Sequence, residues 1–384
     1  MKHSVLLLAL LLGAGPLYPQ DHFLATSSYE VSSGRDATLG GLSFTEENLS
    51  FSNGDVSLAG TLAIPDNDGP HPAVVLLSMG GSQTRDSESG DFKLFKVLSD
   101  HLVLSGIAVL RFDDRGVGKS TGNLDESTLS DLAADALAAV SALKQRPDIM
   151  PREIGVLGHS QGGIVAPLAA SRSNDIAFVV LMGAPMLSAA QMMAEAQNRI
   201  LLSRNVSAEQ LNRARTLQES LFAAMRGVSK WEEVEQSIAT QIRAALKQVS
   251  PEQMAQIGDV DAFVKRRTNE QTAPLKTALL GSLLDHSPAD ILASLSVPVL
   301  TISGGLDTQV PLSVHGPATQ KALAEAGVES TTQFFPSANH QFQTAITGDP
   351  TEYPSLENLF VPGFLELNAH WINYQTASGS TSSR

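Results

Sequence analysis

Residues 158–162 read Gly158-His159-Ser160-Gln161-Gly162, and what flanks them decides the fold. The apolar run Ile154-Gly155-Val156-Leu157 precedes them, and Ile164-Val165-Ala166-Pro167-Leu168-Ala169-Ala170 follows with helical character. The pattern predicts a strand, a tight turn carrying a serine, then a helix. Glycines on both sides let the backbone turn where a Cβ would strike the neighbouring strand or helix. The serine oxygen is then presented at the end of a sheet. The N–H of Gln161 stands at the start of the helix, where it can stabilise a developing oxyanion. The bare G-x-S-x-G pattern also arises as a simple packing turn, so the rest of the chain must separate the two readings.

Working outward, strands and helices alternate. Leu49-Ser50-Phe51 and 56–62 alternate with a period of two around Asn53-Gly54, a β-hairpin signal. Residues 73–77 are a continuous apolar run, and 107–112, 154–157, 176–182, 297–302 and 331–335 also read as strands, with all but 107–112 expected to be buried. Residues 92–104 are amphipathic, and Leu129, Leu132, Ala136, Val140 and Leu143 share one helical face. This alternation predicts an α/β fold, a mostly parallel sheet with helices on both faces. Residues 185–290 break the rhythm with almost no β signal and read as a helical lid insertion expected to cover the serine. The expected organisation is a signal peptide (1–20), a lead-in (21–45), the first part of the core (46–184), the insertion (185–290), the second part of the core (291–375) and a disordered Ser/Thr/Gly tail (376–384).

Composition sets limits on function. The 384 residues include 42% hydrophobic and 17% charged, enough for a substantial core. With 40 acidic against 26 basic residues, the net charge of −14 argues against nucleic acid or an anionic membrane as partner. Lys2 and His3 followed by apolar residues 5–12 and Gly13-Ala14-Gly15 read as an export signal, implying a periplasmic or secreted protein. That run is too short to span a bilayer, and no later stretch reaches about 18 uninterrupted apolar residues, so no stable membrane insertion is expected. The absence of Cys removes disulfides, thiol catalysis and thiolate metal sites. The sequence leaves the oligomeric state open.

A serine hydroxyl is a poor nucleophile near neutral pH and needs a base that is itself oriented by an acid. Asp307 follows the strand at 297–302, and His340 follows the strand ending Phe334-Phe335. The chain order is Ser, Asp, His. Ser160, Asp307 and His340 are therefore the expected catalytic residues, with Asp285-His286 as a rival acid and base pair at the insertion's exit. The Gly80-Gly81 pair after the strand at 73–77 points to Gly81 N–H as the oxyanion partner of Gln161 N–H, with a shift of one residue open. Residues 112–120, Phe112-Asp113-Asp114-Arg115-Gly116-Val117-Gly118-Lys119-Ser120, fail the phosphate-loop pattern because Asp113 stands where a glycine is required. Their expected role is structural, with Arg115 and the carboxylates tying down the oxyanion loop. His159 reads as packing. His101, His315 and His370 have no partner spacing, there is no cluster with metal-ligand spacing, and neither metal nor cofactor is expected.

Leu58-Ala59-Gly60-Thr61-Leu62, residues 111–122, Gly158 to Gly163, Gly304-Gly305-Leu306-Asp307-Thr308-Gln309-Val310 and Asn339-His340-Gln341-Phe342-Gln343 together carry a resemblance. The chain resembles bacterial serine esterases of the α/β-hydrolase superfamily, close to the prolyl-aminopeptidase-like branch, over about 56–372 apart from the insertion. The resemblance implies carboxylic-ester hydrolysis by Ser160, Asp307 and His340, with a small-molecule ester as substrate. Where relatives commonly read Gly-Ser-Gly-Pro-Gln-Asp-Arg-Asp, this chain has Met79-Gly80-Gly81-Ser82-Gln83-Thr84-Arg85-Asp86. The first glycine is Met79 and the proline is Ser82. Two rivals are an aminopeptidase or amidase, with Glu195, Glu219, Glu232 or Glu235 binding a free amino terminus, and a non-catalytic binding protein on the same scaffold. Five methionines, Met186, Met192, Met193, Met225 and Met254, fall in the insertion, either as an adaptable acyl pocket or as packing between its helices.

Overall fold

A computed structural model of the chain describes residues 43–203 and 207–379. The expected signal segment, nearly all of the lead-in and residues 380–384 lie outside the described residues. Among the described residues no helix is long and apolar enough to cross a membrane.

The first compact unit holds the sheet. Strand β1 (Phe44–Asn53) returns through a tight turn into β2 (Val56–Pro65), pairing from Asn53 opposite Val56 to Phe44 opposite Pro65. The hairpin is where Asn53-Gly54 predicts it. The remaining strands of the sheet are β3 (His71–Leu77), β6 (Ala108–Phe112), β7 (Ile149–His159), β8 (Val179–Met182), β9 (Val299–Gly304) and β10 (Ser330–Phe335). They follow the order β1-β2-β6-β3-β7-β8-β9-β10. The pairs β1–β2 and β2–β6 are antiparallel, and every pair from β6 to β10 is parallel. Continuous apolar runs such as Ala73 to Leu77 are buried on both faces, as a parallel sheet covered by helices requires. Edge strand β10 alternates between exposed and half-buried residues instead.

The covering helices are α1 (Leu94–Leu104), α2 (Leu129–Lys144) and α3 (Gly162–Ala170), with α10 (Pro288–Ala293), α11 (Leu312–Ala326) and α12 (Phe364–Gly379) from the second half of the chain. Helix α1 begins two residues later than the amphipathic stretch, because β5 (Phe92–Lys93) pairs with β4 (Glu88–Ser89) first. Late in the chain, Phe342, Phe360 and Phe364 form an aromatic stack, the last two with centroids 4.5 Å apart and planes 11° from parallel. This stack lies directly beyond His340 in sequence and anchors that loop to the core.

The second unit comprises residues 125–128 and 188–286 and is helical: α4 (Ala189–Ser203), α5 (Ala208–Met225), α6 (Trp231–Leu246), α7 (Pro251–Ile257), α8 (Val260–Thr272) and α9 (Ala278–Leu284). Its starts are written in the sequence. Ser207 with Gln210 and Ser250 with Gln253 form reciprocal capping boxes, and Asp259 caps α8. Leu217, Leu221, Ala224, Val234 and Ile238 make its core, with Met193, Met225 and Trp231 packed against it. Two of the five methionines are thus packing residues within this unit. A third, Met186, belongs to the sheet unit, where it is buried.

Three boundaries differ from expectation. The second unit starts at Ser188 and not at Pro185. Helix α10 (Pro288–Ala293) belongs to the sheet unit, since Leu292 is fully buried there and the following α11 (Leu312–Ala326) packs on it. The expected irregular tail from 376 is still helix, because α12 (Phe364–Gly379) runs through it. Thr376 is buried, and its hydroxyl donates to the carbonyl of Ile372, 3.1 Å away, so it joins the helix rather than fraying.

Candidate active site

The serine turn sits at the C-terminal end of β7, near the middle of the sheet. Ser160 has φ +53, a left-handed backbone that a non-glycine residue adopts only under constraint, at a cost of about 1–2 kcal/mol. Here the constraint is visible. The Ser160 amide donates to the Met182 carbonyl on β8 (2.9 Å), while its own carbonyl accepts from Gly163 N (2.8 Å). A Cβ on Gly158 would stand 2.0 Å from the Gly162 carbonyl oxygen, and one on Gly162 would stand 2.2 Å from that of Leu77. Both flanking glycines are therefore sterically required.

Asp307 and His340 come from the loops that follow β9 and β10. Asp307 Oδ2 lies 2.8 Å from His340 Nδ1, and Oδ1 accepts from Gln309 N (2.9 Å) and Val310 N (2.8 Å). Both side chains are almost fully buried. Burial works against ionisation of Asp307, but the bonds from His340, Val310 and Gln309 outweigh it and hold the carboxyl below its ordinary range. A carboxylate can only accept, so the proton of the imidazole is on Nδ1 and Nε2 is the basic nitrogen. Asn339 shapes the loop, its Oδ1 accepting from Gln341 N (2.9 Å) and Gln343 N (3.0 Å).

This pair lies beside the serine turn. A Cβ on Gly183, the residue after Met182, would be 3.3 Å from both Asp307 Oδ2 and His340 Nδ1. The His159 ring lies 4.9 Å from the His340 ring, with Nε2 2.8 Å from the His340 carbonyl oxygen. The structure thus brings Ser160, Asp307 and His340 to one place. The Asp307–His340 contact is a hydrogen bond, and among the described residues the Ser160 hydroxyl makes none. The rival pair is engaged elsewhere: Asp285 binds Arg226 (2.5 Å) and His286 Nδ1 lies 2.7 Å from the Ser282 carbonyl.

His159 does more than fill space. A carbonyl only accepts, so His159 Nε2 carries the proton and donates, pinning the backbone of His340 to the serine turn. Burial, and then the nearby His340, depress its pKa to about 3, so the ring stays neutral. His315 likewise has a partner, accepting from Met186 N at 3.1 Å. Neither contact was visible in the sequence, because each joins residues more than 100 positions apart.

The turn after β3 lies against Gln161. A Cβ on Gly80 would be 3.0 Å from Gln161 Oε1, whereas Gly81, at φ +90, faces Gln83. Gly80 thus stands beside the Gln161 side chain, and Gly81 lines the same cavity as Gln161. The turn is held from the loop after β6, with one change from expectation. Asp113 takes Arg85 through Nε (3.0 Å), Nη2 (2.6 Å) and the backbone amide (2.9 Å), and Asp114 takes Ser78 and Gln83. Arg115 instead reaches α2, where it binds Asp135 at 2.6 and 2.8 Å. The two aspartates hold the turn, and the arginine holds the aspartates' own loop to the helix layer.

The hydrolase family described as "Serine aminopeptidase, S33" matches residues 90–344, about two thirds of the chain, including Ser160, Asp307 and His340. The chain belongs to this family. Within it, the expected α/β-hydrolase fold is the one observed. Esterase EstD of Thermotoga maritima is 30% identical over 268 residues, which are 70% of this chain and 53% of EstD. The chain thus spans about half the length of that relative. The solved structure of DcsB in complex with its substrate analogue superposes with a TM-score of 0.51 at 16% identity, covering 87% of this chain and 99% of DcsB. At that identity the likeness is one of fold. The match to the serine aminopeptidase S33 family starts beyond Met79 to Gln83, so the turn after β3 falls outside it.

Proposed function

We propose that this member of the serine aminopeptidase S33 family hydrolyses carboxylic esters of small molecules through an acyl-enzyme. The observation that carries the reading is the Asp307–His340 hydrogen bond beside a serine in a left-handed turn. His340 Nε2 accepts the Ser160 proton as Oγ attacks the acyl carbonyl. The amides of Gln161 and of the Gly80-Gly81 turn hold the resulting oxyanion. His340 then gives its proton to the departing alkoxide, and the alcohol leaves. Water, deprotonated by the same nitrogen, attacks the acyl carbonyl, and His340 returns that proton to Ser160 Oγ as the carboxylic acid leaves. Asp307 keeps the imidazole in the Nδ1–H form and stabilises its cationic state.

Esters are preferred to amides as substrates because the relative matched over most of this chain is named an esterase. The family description favours an aminopeptidase as the second reading. A paired assay separates them: release of p-nitrophenol from short acyl esters against release of an arylamine from aminoacyl amides. Ester turnover with amide turnover at least about 10²-fold lower supports the reading. The reverse ratio replaces it with the aminopeptidase.

A further inference from the structure

The turn after β3 that lies against Gln161 has little packing to fix it. Gly80, Gly81 and Ser82 are exposed and Ser78, Met79 and Gln83 half-buried. Behind them lies a cavity of about 40 Å³, lined among others by Ser78, Met79, Gly81, Asp114 and Gln161. Space of that size holds a water molecule or two and exerts no restraint on a loop. Asp113 holds the chain just beyond the turn through Arg85, and Asp114 holds the turn itself. Asp114 Oδ1 accepts from Ser78 Oγ at 2.7 Å and Oδ2 accepts from Gln83 N at 2.8 Å, while Asp114 N donates to Gln83 O at 3.1 Å. A single residue therefore ties the turn together at both ends.

We propose that Asp114 is a positioning residue, whose carboxyl clamps the Ser78–Gln83 turn and so sets the backbone amides that face the reacting carbonyl. The inference rests on the ester-hydrolase reading given above. The clamp functions in its neutral form. Among the described residues Asp114 makes no ion pair: Arg85 pairs with Asp113 and Arg115 with Asp135, which leaves Asp114 with those two carboxylates as its charged neighbours. As a residue it is half-buried, opening onto the cavity, but protein atoms pack most of the way round its carboxyl. That burial, with Asp113 and Asp135 adding to it, pushes its pKa up to about 7 against the bonds from Ser78 and Gln83. When protonated, Asp114 donates to Ser78 Oγ through one oxygen and still accepts from Gln83 N through the other. When ionised, it places a negative charge behind the turn, on a cavity that Gly81 and Gln161 also line, and so opposes negative charge on a substrate oxygen held by their amides. Asparagine reproduces the neutral hydrogen-bond pattern, with Oδ1 toward Gln83 N and Nδ2 toward Ser78 Oγ.

The test is kcat and KM for p-nitrophenyl butyrate between about pH 5.5 and about 9, read where p-nitrophenol ionisation does not alter absorbance. Wild type, Asp114→Asn, Asp114→Ala and Ser160→Ala are compared, with circular dichroism to establish that each is folded. Wild-type kcat/KM should fall above an apparent pKa of about 7, and Asp114→Asn should lack that fall. Near pH 6, Asp114→Ala should lose about 10²-fold in kcat with KM within about 3-fold, and Asp114→Asn should recover most of the loss. A descending limb that persists in Asp114→Asn overturns the proposal, as does an alanine variant as active as wild type. If Asp114→Ala does not fold, the pH profile of Asp114→Asn alone decides. Ser160→Ala separates the two levels: full turnover in that variant overturns the ester-hydrolase reading itself, whereas an inactive Ser160→Ala beside an unaffected Asp114→Ala overturns only the role of Asp114.

Discussion

His340 Nδ1 and Asp307 Oδ2 stand 2.8 Å apart, although the residues are 33 positions apart and belong to different loops. The distance fixes the tautomer, leaves Nε2 as the basic nitrogen and gives the ring one orientation. With Asn at 307 the side-chain oxygen stays on the Gln309 and Val310 amides and an NH2 donor faces Nδ1, which favours the opposite tautomer. Asp307→Asn is predicted to lower kcat by about 10³–10⁴-fold in a folded protein. Asp285→Asn, which loses only its pairing with Arg226, is predicted to change kcat by less than about 3-fold. Steady-state kinetics on the two variants checks both.

The same bond has a signature in stability. The folded-state pKa of Asp307 is depressed, so its contribution is fully present above the unfolded value near ~3.9. It is lost as pH falls through the folded value. Stability measured by urea unfolding should decline less steeply below about pH 4 in Asp307→Asn than in wild type.

His159 acts in a higher window. Its pKa drops from 6.5 to about 3 on folding, so between those values the unfolded chain binds a proton that the native chain excludes. The stability due to neutral His159 is complete above pH ~6.5 and is lost progressively as pH falls toward 3, on the order of a few kcal/mol in total. His159→Gln, which keeps a donor for the His340 carbonyl, should flatten the change in urea midpoint between about pH 6.5 and about 4. An unchanged slope would show that the ring is not held neutral by burial.

Gly162 carries a purely steric prediction. A Cβ there would meet the backbone oxygen of Leu77 at 2.2 Å, which no side-chain rearrangement relieves. Gly162→Ala should cost about 3 kcal/mol, seen as a lowered thermal midpoint, and should reduce turnover because the serine turn must shift.

Arg115→Ala should be destabilising by about 2–4 kcal/mol, because it leaves the buried Asp135 carboxylate with Asn53 Nδ2 at 2.8 Å in place of a bidentate cation. The double variant Arg115→Ala, Asp135→Ala should recover part of that loss. Chemical denaturation of Arg115→Ala, Asp135→Ala and the double variant measures the coupling.

Much of the fold was legible because its signals are local. Apolar runs such as Ala73 to Leu77 mark buried strands, Gly158 and Gly162 mark the serine turn, and Ser207 and Ser250 announce helix starts. Asp307 and His340 could be placed because each directly follows a strand of the parallel sheet. What escaped was set by pairing across the chain. Arg115 reads, with the carboxylates beside it, as tying down the oxyanion loop, yet the geometry of its own loop turns it toward Asp135 on α2. His159 reads as packing, yet its ring nitrogen meets the His340 backbone 181 positions away. Thr376 opens a Ser/Thr/Gly stretch, but burial and a bond to the preceding turn keep it helical.

The most direct test of the central claim is kcat of Ser160→Ala with p-nitrophenyl butyrate, on protein whose circular dichroism matches wild type. The account predicts a fall of about 10⁴–10⁶-fold. Turnover near the wild-type rate would contradict it.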